Sequence, residues 1–357
     1  MASLSPDFVF TAQPSRVVFA RGSLARLPQE VESLGARRAL VLCTPQQVDQ
    51  ARTASDLLGA ASAGVFAGAE MHVPIESARR ARAHAKEVGA DCAVAIGGGS
   101  TIGLGKAIAL ESSLPIIAIP TTYAGSEMTP IYGITAEGEK KTGRELKVLP
   151  RVVIYDPELS VGLPVQLSIV SGINAIAHAA EGLYARDGNP VMSLMAEEGI
   201  RALAGGLRGV KAYAKNIYAR SDCLYGAWLC GTVLGHVGMA LHHKLCHTLG
   251  GSFNLPHAET HTVVLPHALA YNSAAAPEAM TRIARAIDAS NAPRGLFNLA
   301  ASLGAPTALR DIGMKEADLD RACAVALSNP YWNPRPIERD ALRLLLQNAW
   351  EGRPPSA

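Results

Sequence analysis

The chain has 357 residues, of which 48% are hydrophobic and 18% are charged, and its formal net charge is +2. This length has room for about two domains, each large enough to bury a core of its own. No run of lysine or arginine is long enough to follow a phosphate backbone, so the composition argues against nucleic-acid binding.

The cysteines and the N-terminal residues bear on the cellular compartment. The six cysteines are scattered without a CxxC pair, which is typical of free thiols in a reducing cytoplasm rather than of a disulfide framework. The N-terminal MASLSPDFVF has neither the basic nor the apolar region of a signal peptide. We therefore expect a cytoplasmic protein.

The first half of the chain alternates short apolar runs with helical patterns. Residues 76–89 carry apolar side chains at helical spacing. The strand candidates are RALVLC (38–43), DCAVAIGG (91–98), PIIAIPT (115–121) and RVVIYD (151–156). This alternation predicts a parallel, doubly wound sheet with helices on both faces.

A glycine-rich turn follows the second of these strands. The strand leads into Gly97, Gly98 and Gly99, and a helix is predicted to begin near Ser100 or Thr101. Glycines let a backbone approach a ligand closely, and the amides at a helix N-terminus favour a pyrophosphate. The segment fits neither GxGxxG nor the P-loop pattern, so a phosphate-binding turn of another kind and a tight strand-to-helix connection both stay open.

The third strand leads into PTTYAGSEMTP (120–130), a run of hydroxyl and small residues. Ligands bind at the carboxyl ends of strands in open α/β sheets, and two such turns on neighbouring strands favour nucleotide binding. Thr121, Thr122 and Ser126 are the cofactor-binding candidates of this run, with the threonines expected at a nicotinamide amide or ribose. Hydroxyls of this kind also cap helices and turns.

The strand signals stop at about residue 160, and Ala- and Leu-rich helical stretches follow. These are residues 165–186, 190–216, 221–250, 276–289, 293–303, 315–328 and 337–350. We place a domain boundary near Pro157 to Pro164, with an α/β domain over 1–160 and an all-helical domain over 161–357. A cleft between two such domains is a usual place for a ligand.

One uncharged stretch of the second half, residues 223–241, is long enough to be tested as a membrane span. It contains His236 and runs directly into His242 and His243. A helix buried in a helical core explains this single segment better, so no membrane association is predicted.

Histidines gather in the second half. The candidates for a site are Asn174 and His178 on one predicted helix, and His243, His247 and His257 further on. Gly250–Gly251 is predicted to turn the chain so that His257 folds back towards the other two. Histidines converging from two helices are typical of a metal site, an acid–base site or an anion pocket. Three other histidines are interpreted as structural: His236, His261 and His267, of which His267 is the most open to another role.

Four motifs together carry a resemblance to a known family. Their order and spacing are similar to those of the iron-containing alcohol dehydrogenases. The motifs are GGGS (97–100), PTT…GSE…TP (120–130), GINAIAH (172–178) and HKLCHTLGGSFNLPH (243–257). The resemblance covers most of the chain. It implies the dehydroquinate synthase-like fold of that family, with a Rossmann-like NAD(P)-binding domain followed by a helical domain, and it implies a homodimer.

The resemblance also implies a set of metal ligands, with one departure. Metal-bearing members use an aspartate and three histidines, which fall here on Asn174, His178, His243 and His257, and His247 matches a histidine beside the nicotinamide. A neutral amide is a poorer ligand for a hard cation than a carboxylate. The metal is therefore doubtful, and a metal bound without the aspartate would use His178, His243 and His257.

Further features resemble one branch of the family: Asn174, Gly103, the compact PTTYAGSEMTP run and YWNPRPIERDAL (331–342). Members of that branch use NADH or NADPH to reduce the carbon–carbon double bond of 2-maleylacetate to 3-oxoadipate, in the degradation of resorcinol, hydroxyquinol and chlorinated aromatics. The resemblance thus implies a small dicarboxylate substrate. The expected substrate-binding residues are Asn174, His178, His243 and His257.

The chemistry of this substrate explains why a metal could be dispensable. Hydride addition to a double bond conjugated to a ketone gives an enolate, which hydrogen-bond donors can stabilise as an oxyanion hole does. Donating or protonated imidazoles of His178, His243 and His257 suit that role and attract a dicarboxylate. His243 or His247 is expected to protonate the enolate carbon as general acid.

The residues after the first predicted strand bear on the choice of cofactor. RALVLCTPQQ (38–47) has no acidic residue where an NAD-specific site places one on the ribose diol. Use of NADH or NADPH is therefore predicted. Thr44 and Pro45 are expected near the adenosine, and Lys147 is a candidate contact to the nicotinamide ribose.

Two other functions stay open. The first is a metal-dependent alcohol dehydrogenase that acts on a plain carbonyl or alcohol, and metal analysis with an assay after chelation would distinguish it. The second is a binding or regulatory protein that has lost the metal of this scaffold. Such a protein would leave the nicotinamide absorbance unchanged when NADH is mixed with substrate.

Overall fold

The structure is a computed structural model that describes residues 8–13, 15–136 and 139–355. The chain divides into two compact units. The α/β unit comprises Thr11–Leu163. The helical unit begins at Pro164 and takes in the described N-terminal residues Phe8 to Phe10.

The α/β unit contains one parallel sheet and one hairpin within its described residues. The strands are β1 (Arg16–Phe19), β2 (Ala39–Leu42), β3 (Ser62–Phe66), β4 (Cys92–Gly97), β5 (Ile116–Pro120), β6 (Ile131–Ala136), β7 (Glu139–Arg144) and β8 (Val152–Tyr155). The helices are α1 (Leu27–Ser33), α2 (Val48–Leu58), α3 (Ile75–Glu87), α4 (Gly99–Ser112) and α5 (Pro157–Ser160). The sheet order is β1-β8-β5-β4-β2-β3, all parallel, and β6 pairs with β7 as an antiparallel hairpin.

Strand β2 shows why the apolar runs became central strands. Its residues Ala39 and Val41 pack in one core with α1 and α2, whereas Leu40 and Leu42 pack in a second core with α3 and α4. Successive side chains of a strand point to opposite faces, so a strand covered by helices on both sides must be apolar throughout. The predicted fold class, a doubly wound parallel sheet followed by a helical domain, is confirmed.

The four predicted strands are all present as β2, β4, β5 and β8, each one residue shorter at both ends than predicted. The sequence did not reveal β1 and β3, which are the edges of the sheet, or the β6–β7 hairpin. These strands lack a continuous buried run: β3 is half-buried throughout, and β7 has the polar sequence EKKTGR. Edge strands need no apolar side chains on both faces, so their pattern is weak.

The helical unit contains only helices among its described regular elements. They are α6 (Val165–Gly182), α7 (Pro190–Ala212), α8 (Ile217–His236), α9 (Leu241–Phe253), α10 (His257–Asn272), α11 (Pro277–Ala286), α12 (Ala292–Leu303), α13 (Leu319–Ser328) and α14 (Arg339–Glu351). One core of this unit joins α9, α10, α13 and α14 through buried residues such as Leu245, Val264 and Leu346.

The single helix predicted over 221–250 is wrong, because the chain bends by 95° between α8 and α9. The predicted turn at Gly250–Gly251 is also wrong, since both glycines lie inside α9 and the chain turns at Asn254, whose φ is 55°. Helix α10 was not predicted, because Pro266 interrupts the helical pattern of the sequence, yet the helix continues through that residue. The bend and α10 together set the positions of the histidines.

Of the described helices, none is by itself both long and apolar enough to cross a membrane, and only the bent pair α8–α9 meets those criteria jointly. Most residues from Cys223 to Gly235 are buried within the unit, as the sequence analysis predicted.

Candidate active site

The glycine turn lies between β4 and α4. Gly97 ends the strand with a φ of 154°, and a Cβ atom there would lie 2.5 Å from the Thr101 hydroxyl and 2.7 Å from Gln47 Oε1. Gly98 is the N-cap of α4 and makes no side-chain cap hydrogen bond, and α4 begins at Gly99, just before Ser100. Thr101 Oγ1, in the first turn, is buried without a hydrogen-bond partner. These features suit a helix N-terminus that binds an anion.

Hydrogen bonds join the carboxyl ends of three neighbouring strands around this turn. The Gln47 side chain donates to Thr121 Oγ1 at 2.9 Å and accepts from Thr44 Oγ1 at 3.3 Å. The Thr121 amide donates to the Gly97 carbonyl at 3.0 Å. The structure therefore brings together three of the sequence-predicted cofactor positions, and Pro45 begins the short 3-10 helix that carries Gln47.

Lys106 fixes the run that follows β5. Its ammonium is fully buried and donates to the carbonyls of Ser126, Thr129 and Ile131 at 2.6 to 2.8 Å, and it lies 3.0 Å from Thr129 Oγ1. Burial lowers the pKa of Lys106 to about 7, and the nearby Glu127 carboxylate acts in the opposite direction. Sequence analysis missed this lysine. The sequence feature that could have identified it is its position seven residues after Gly99, on the helix that follows the glycine turn.

Two other predicted cofactor residues lie near these elements. Thr122 is half-buried, and its methyl group would lie 3.0 Å from a Cβ atom at Gly98, so it packs over the glycine turn. Lys147 lies in a 3-10 helix (Leu146–Val148) that packs against α4, and its ammonium is 3.3 Å from a carboxylate oxygen of Glu145.

Six imidazoles form a histidine cluster in the helical unit: His178 on α6, His242, His243 and His247 on α9, and His257 and His261 on α10. The His243 ring centroid is 5.2 Å from that of His178, 5.0 Å from that of His261 and 6.0 Å from that of His247. The His257 and His261 centroids are 4.4 Å apart. All four predicted histidines therefore belong to one cluster.

The cluster also contains His261, which the sequence analysis interpreted as structural, and His242, to which it gave no role. Both are fully buried, and His242 Nε2 lies 2.9 Å from His261 Nδ1. His261 is four residues after His257 on α10, a spacing that would have revealed it had the helix been recognised. The rings of His236 and His267 instead contact Phe10 and Phe297, with ring centroids 5.5 and 6.5 Å apart.

The centre of the cluster contains polar atoms without partners. His178 Nδ1, His243 Nε2 and His261 Nε2 are buried and have no hydrogen-bond partner. The same is true of Asn174 Oδ1, one turn before His178 on α6. His247 and His257, by contrast, are exposed at the rim. Because buried polar groups in proteins are almost always hydrogen-bonded, these four atoms indicate a place for a polar ligand.

Burial controls the charge of the inner imidazoles. It holds the pKa of His178 well below its usual value, and the neighbouring His243, His257 and His247 lower it further. Burial and neighbouring imidazoles also hold the pKa values of His242 and His261 well below the usual range. At neutral pH these three rings are neutral, each with one N–H donor and one acceptor nitrogen.

Glu181, which the sequence analysis missed, is the buried anion of this site. Its carboxylate accepts hydrogen bonds from the Ala240 amide, the His242 amide and His243 Nδ1, each at 2.7 Å. Glu181 follows His178 by three residues on α6, so one helical face carries Asn174, His178 and Glu181.

At the rim, His247 is tied to the C-terminal segment. Its Nδ1 lies 3.0 Å from the Tyr331 hydroxyl, and the Lys244 ammonium lies 5.7 Å from the centre of the Tyr331 ring. Asn333 exchanges hydrogen bonds with Asn272 at the end of α10. The YWNPRP segment therefore lines the exposed side of the cluster.

The donor set at the metal positions of the sequence resemblance does not fit a hard divalent cation. Asn174 is neutral, and the Glu181 carboxylate is already occupied by backbone amides and His243. Among the described residues, one group of three side chains has ligand atoms that all lie within 4.8 Å of one another, namely His242, Cys246 and His261. The expected ligands His178, His243 and His257 are not such a group. A buried cation would therefore lack an anionic ligand at these positions.

Comparisons with known proteins identify related sequences. A model described as iron-containing alcohol dehydrogenase matches residues 14–157, and a model of the C-terminal part of the Fe-containing alcohol dehydrogenase family matches residues 168–350. A maleylacetate reductase from Burkholderia cepacia is 62% identical to this chain over 98% of the chain and 99% of its own length.

Solved structures agree with these matches. A protein from Ralstonia eutropha, provisionally named an alcohol dehydrogenase, is 69% identical with a TM-score of 0.98, over 99% of this chain and 100% of that one. Maleylacetate reductase from Agrobacterium tumefaciens is 55% identical with a TM-score of 0.95, over 98% of this chain and 99% of that one. The likeness extends over residues of both units.

Proposed function

This chain belongs to the iron-containing alcohol dehydrogenase family, and from that premise we propose that it reduces the double bond of 2-maleylacetate with NADH or NADPH. It is an oxidoreductase that acts on a small molecule. The full-length relatives named maleylacetate reductase support this substrate, and so does the asparagine at position 174.

The observation that carries the proposal is the set of unpartnered buried atoms in the histidine cluster. A keto-dicarboxylate offers carbonyl and carboxylate oxygens, which accept hydrogen bonds from imidazole N–H groups. Three ring nitrogens, on His178, His243 and His261, lie buried without partners, and so does the amide oxygen of Asn174, which can only accept. A substrate with several oxygens would satisfy the ring nitrogens that carry hydrogen, whereas a hydrocarbon substrate would leave them unpaired.

The reaction balances without any further reagent. Hydride from the reduced nicotinamide adds to the double-bond carbon farther from the ketone, and the π electrons move onto the ketone oxygen. The resulting enolate then takes a proton at the neighbouring carbon, which gives 3-oxoadipate and the oxidised cofactor. N–H donors placed at the ketone oxygen stabilise the charge that develops in the transition state.

The residues take different parts in this reaction. We assign hydrogen bonding of the substrate oxygens to Asn174, His178, His243 and His257, and proton delivery to His243 or His247. His178 acts as a neutral ring, because burial holds its pKa well below the usual value. The glycine turn with Ser100, Thr121, Thr122 and Ser126 is assigned to the cofactor, as are Thr44, Pro45 and Lys147.

We further propose that the reaction needs no metal. The side chains at the metal positions support this. Asn174 is neutral, and the imidazoles of His178, His243 and His257 are not the three side chains whose ligand atoms lie close enough together to share one ion. The Glu181 carboxylate already accepts hydrogen bonds from backbone amides. An enolate is a more stable anion than an alkoxide, so hydrogen bonds can supply stabilisation that plain carbonyl reduction obtains from a Lewis acid.

The proposal predicts use of either nicotinamide cofactor. Residues 43–47 after β2 include no carboxylate that would repel a 2′-phosphate. The test is a spectrophotometric assay that follows loss of the nicotinamide absorbance with maleylacetate and each cofactor. We expect turnover with maleylacetate and none with simple alcohols or aldehydes. Turnover of plain carbonyls with no activity on maleylacetate would replace this proposal by the alcohol dehydrogenase alternative.

A further inference from the structure

Glu181 is a buried carboxylate whose three contacts at 2.7 Å are all with N–H groups, and the Tyr184 hydroxyl lies 3.4 Å from Oε1. Oε2 accepts from the Ala240 amide and from His243 Nδ1, and Oε1 accepts from the His242 amide, each at 2.7 Å. The donors stand at the N-terminus of α9, where the helix dipole also favours a negative charge. Each of these three N–H groups needs an acceptor oxygen on Glu181, and Oε2 alone accepts from two of them.

This carboxylate decides which nitrogen of His243 carries hydrogen. Because Glu181 can only accept, the Nδ1 nitrogen of His243 must donate, and the proton stays on Nδ1. Nε2 is then the ring nitrogen left for the substrate: it accepts a hydrogen bond in the neutral ring, and it donates or delivers a proton only when the ring carries a second hydrogen there. This nitrogen is buried without a hydrogen-bond partner. The ring orientation is fixed by the same 2.7 Å contact.

His243 differs in this respect from the other buried imidazoles. Among the described residues, it is the buried histidine that contacts a carboxylate. The nearest polar partner of His242 is another imidazole, His261, and His178 Nδ1 has no partner. A neutral imidazole neighbour, or no neighbour at all, does not determine which ring nitrogen carries the hydrogen, whereas the Glu181 carboxylate does.

We propose that Glu181 is a positioning residue of the reaction, which locks His243 in the Nδ1–H form with Nε2 presented to the substrate. The proposal rests on the proposed function for its substrate, but the tautomer follows from the contacts alone. A carboxylate that holds a catalytic imidazole in one tautomer contributes strongly to turnover: in a Ser-His-Asp triad its replacement by asparagine lowers kcat by about 10,000-fold.

A double-mutant cycle tests whether Glu181 acts through His243. In Glu181→Gln, the side chain can present either its amide oxygen or its NH2 group to His243 Nδ1, so it no longer fixes one tautomer. We expect Glu181→Gln to lower kcat by at least about tenfold in the native background, with a smaller change in the KM for the cofactor. In the His243→Gln background it should lower kcat by less than about twofold, since coupled residues are not additive. Equal losses in both backgrounds would show a merely structural role and overturn the proposal.

Asp156 offers a matched control. It is a buried carboxylate that caps the backbone amides of Gly22, Leu24 and Glu158 at 3.0 to 3.1 Å, and none of these three partners is a histidine. Asp156→Asn should lower the melting temperature in the same way as Glu181→Gln while kcat stays within about twofold. A comparable loss of kcat in Asp156→Asn would mean that loss of any buried cap suffices, which contradicts the proposal.

A spectroscopic measurement separates this proposal from the proposed function. In protein labelled with 15N-histidine, with His243 assigned by comparison with His243→Gln, we expect the Nδ1–H tautomer in the native chain and a tautomer mixture in Glu181→Gln. A native His243 without hydrogen on Nδ1 would overturn the positioning role whatever the substrate is. If the tautomer is as expected but maleylacetate is not turned over, the proposed function fails and the Glu181–His243 lock stands.

Discussion

The glycine turn of the α/β unit and the histidine cluster of the helical unit are both built from polar groups, but they satisfy those groups differently. Around the turn, Gln47 bonds Thr44 and Thr121, and Lys106 is surrounded by oxygen atoms of the chain itself. At the turn itself, Thr101 Oγ1 is buried without a partner, whereas in the cluster and at the neighbouring Asn174 four buried side-chain atoms have none. The first region is held in shape by its own hydrogen bonds, whereas the second has hydrogen-bonding capacity reserved for a ligand.

The largest effect should come from removing the central ring of the cluster. His243→Ala should lower kcat by about 100-fold or more, the range for loss of a general acid or of an oxyanion donor. The Kd for NADH should change by less than about threefold, because the predicted cofactor turn lies in the α/β unit. Steady-state kinetics and a fluorescence titration of NADH check both values. The matched variant is His236→Ala, which should keep kcat within about twofold, and unchanged turnover in His243→Ala would remove that residue from the mechanism.

Lys106 tests whether the turn region depends on internal hydrogen bonds. Lys106→Met removes the donor of three buried carbonyls and should lower the free energy of unfolding by about 2 to 4 kcal/mol. Denaturant unfolding measures this change, with the exposed Lys86→Met as control. A loss no larger than that of the control would show that the carbonyls find other partners and would weaken the contrast between the two regions.

His267 shows what a buried imidazole does when it has no place in the cluster. Burial lowers its pKa to about 4 from an ordinary value of 6.5, so the unfolded chain takes up a proton there before the folded chain does. Folded stability is therefore lost as the pH falls from about 6.5 towards 4, and it is fully present above 6.5. Between pH 7 and pH 5 the native chain should lose about 2 kcal/mol relative to His267→Phe. A stability difference between the two proteins that is constant with pH would contradict this account.

Gly97 tests the close approach at the turn. In Gly97→Ala, the new Cβ would lie 2.5 Å from Thr101 Oγ1 and 2.7 Å from Gln47 Oε1, so the first turn of α4 must shift. We expect the Kd for NADH to rise about tenfold, which corresponds to about 1.4 kcal/mol. Gly162→Ala is the control, because a Cβ atom there meets nothing within 4 Å. Equal cofactor affinity in the two variants would argue against a ligand at this turn.

The difference between the two regions also explains how far the sequence could predict them. The turn is local: β4, three glycines and α4 follow one another, so their pattern and candidate residues are visible in one segment. The cluster depends on tertiary placement, because the bend before α9 and the unrecognised helix α10 bring His242 and His261 into it. A spacing of four residues between polar side chains pointed to His178 and His243 as site candidates. Nothing near Glu181 in the sequence indicated that its carboxylate would bind the backbone amides that begin α9, about 60 residues further along the chain.

The central claim is that neutral amide and imidazole groups, without a metal, support reduction of a conjugated double bond. The most direct measurement is maleylacetate turnover with NADH by protein that has been dialysed against a strong chelator and shown by elemental analysis to contain no iron or zinc. We predict the same kcat as before chelation, and no increase when iron or zinc is added. Loss of activity on chelation, with recovery on addition of either metal, would contradict the account.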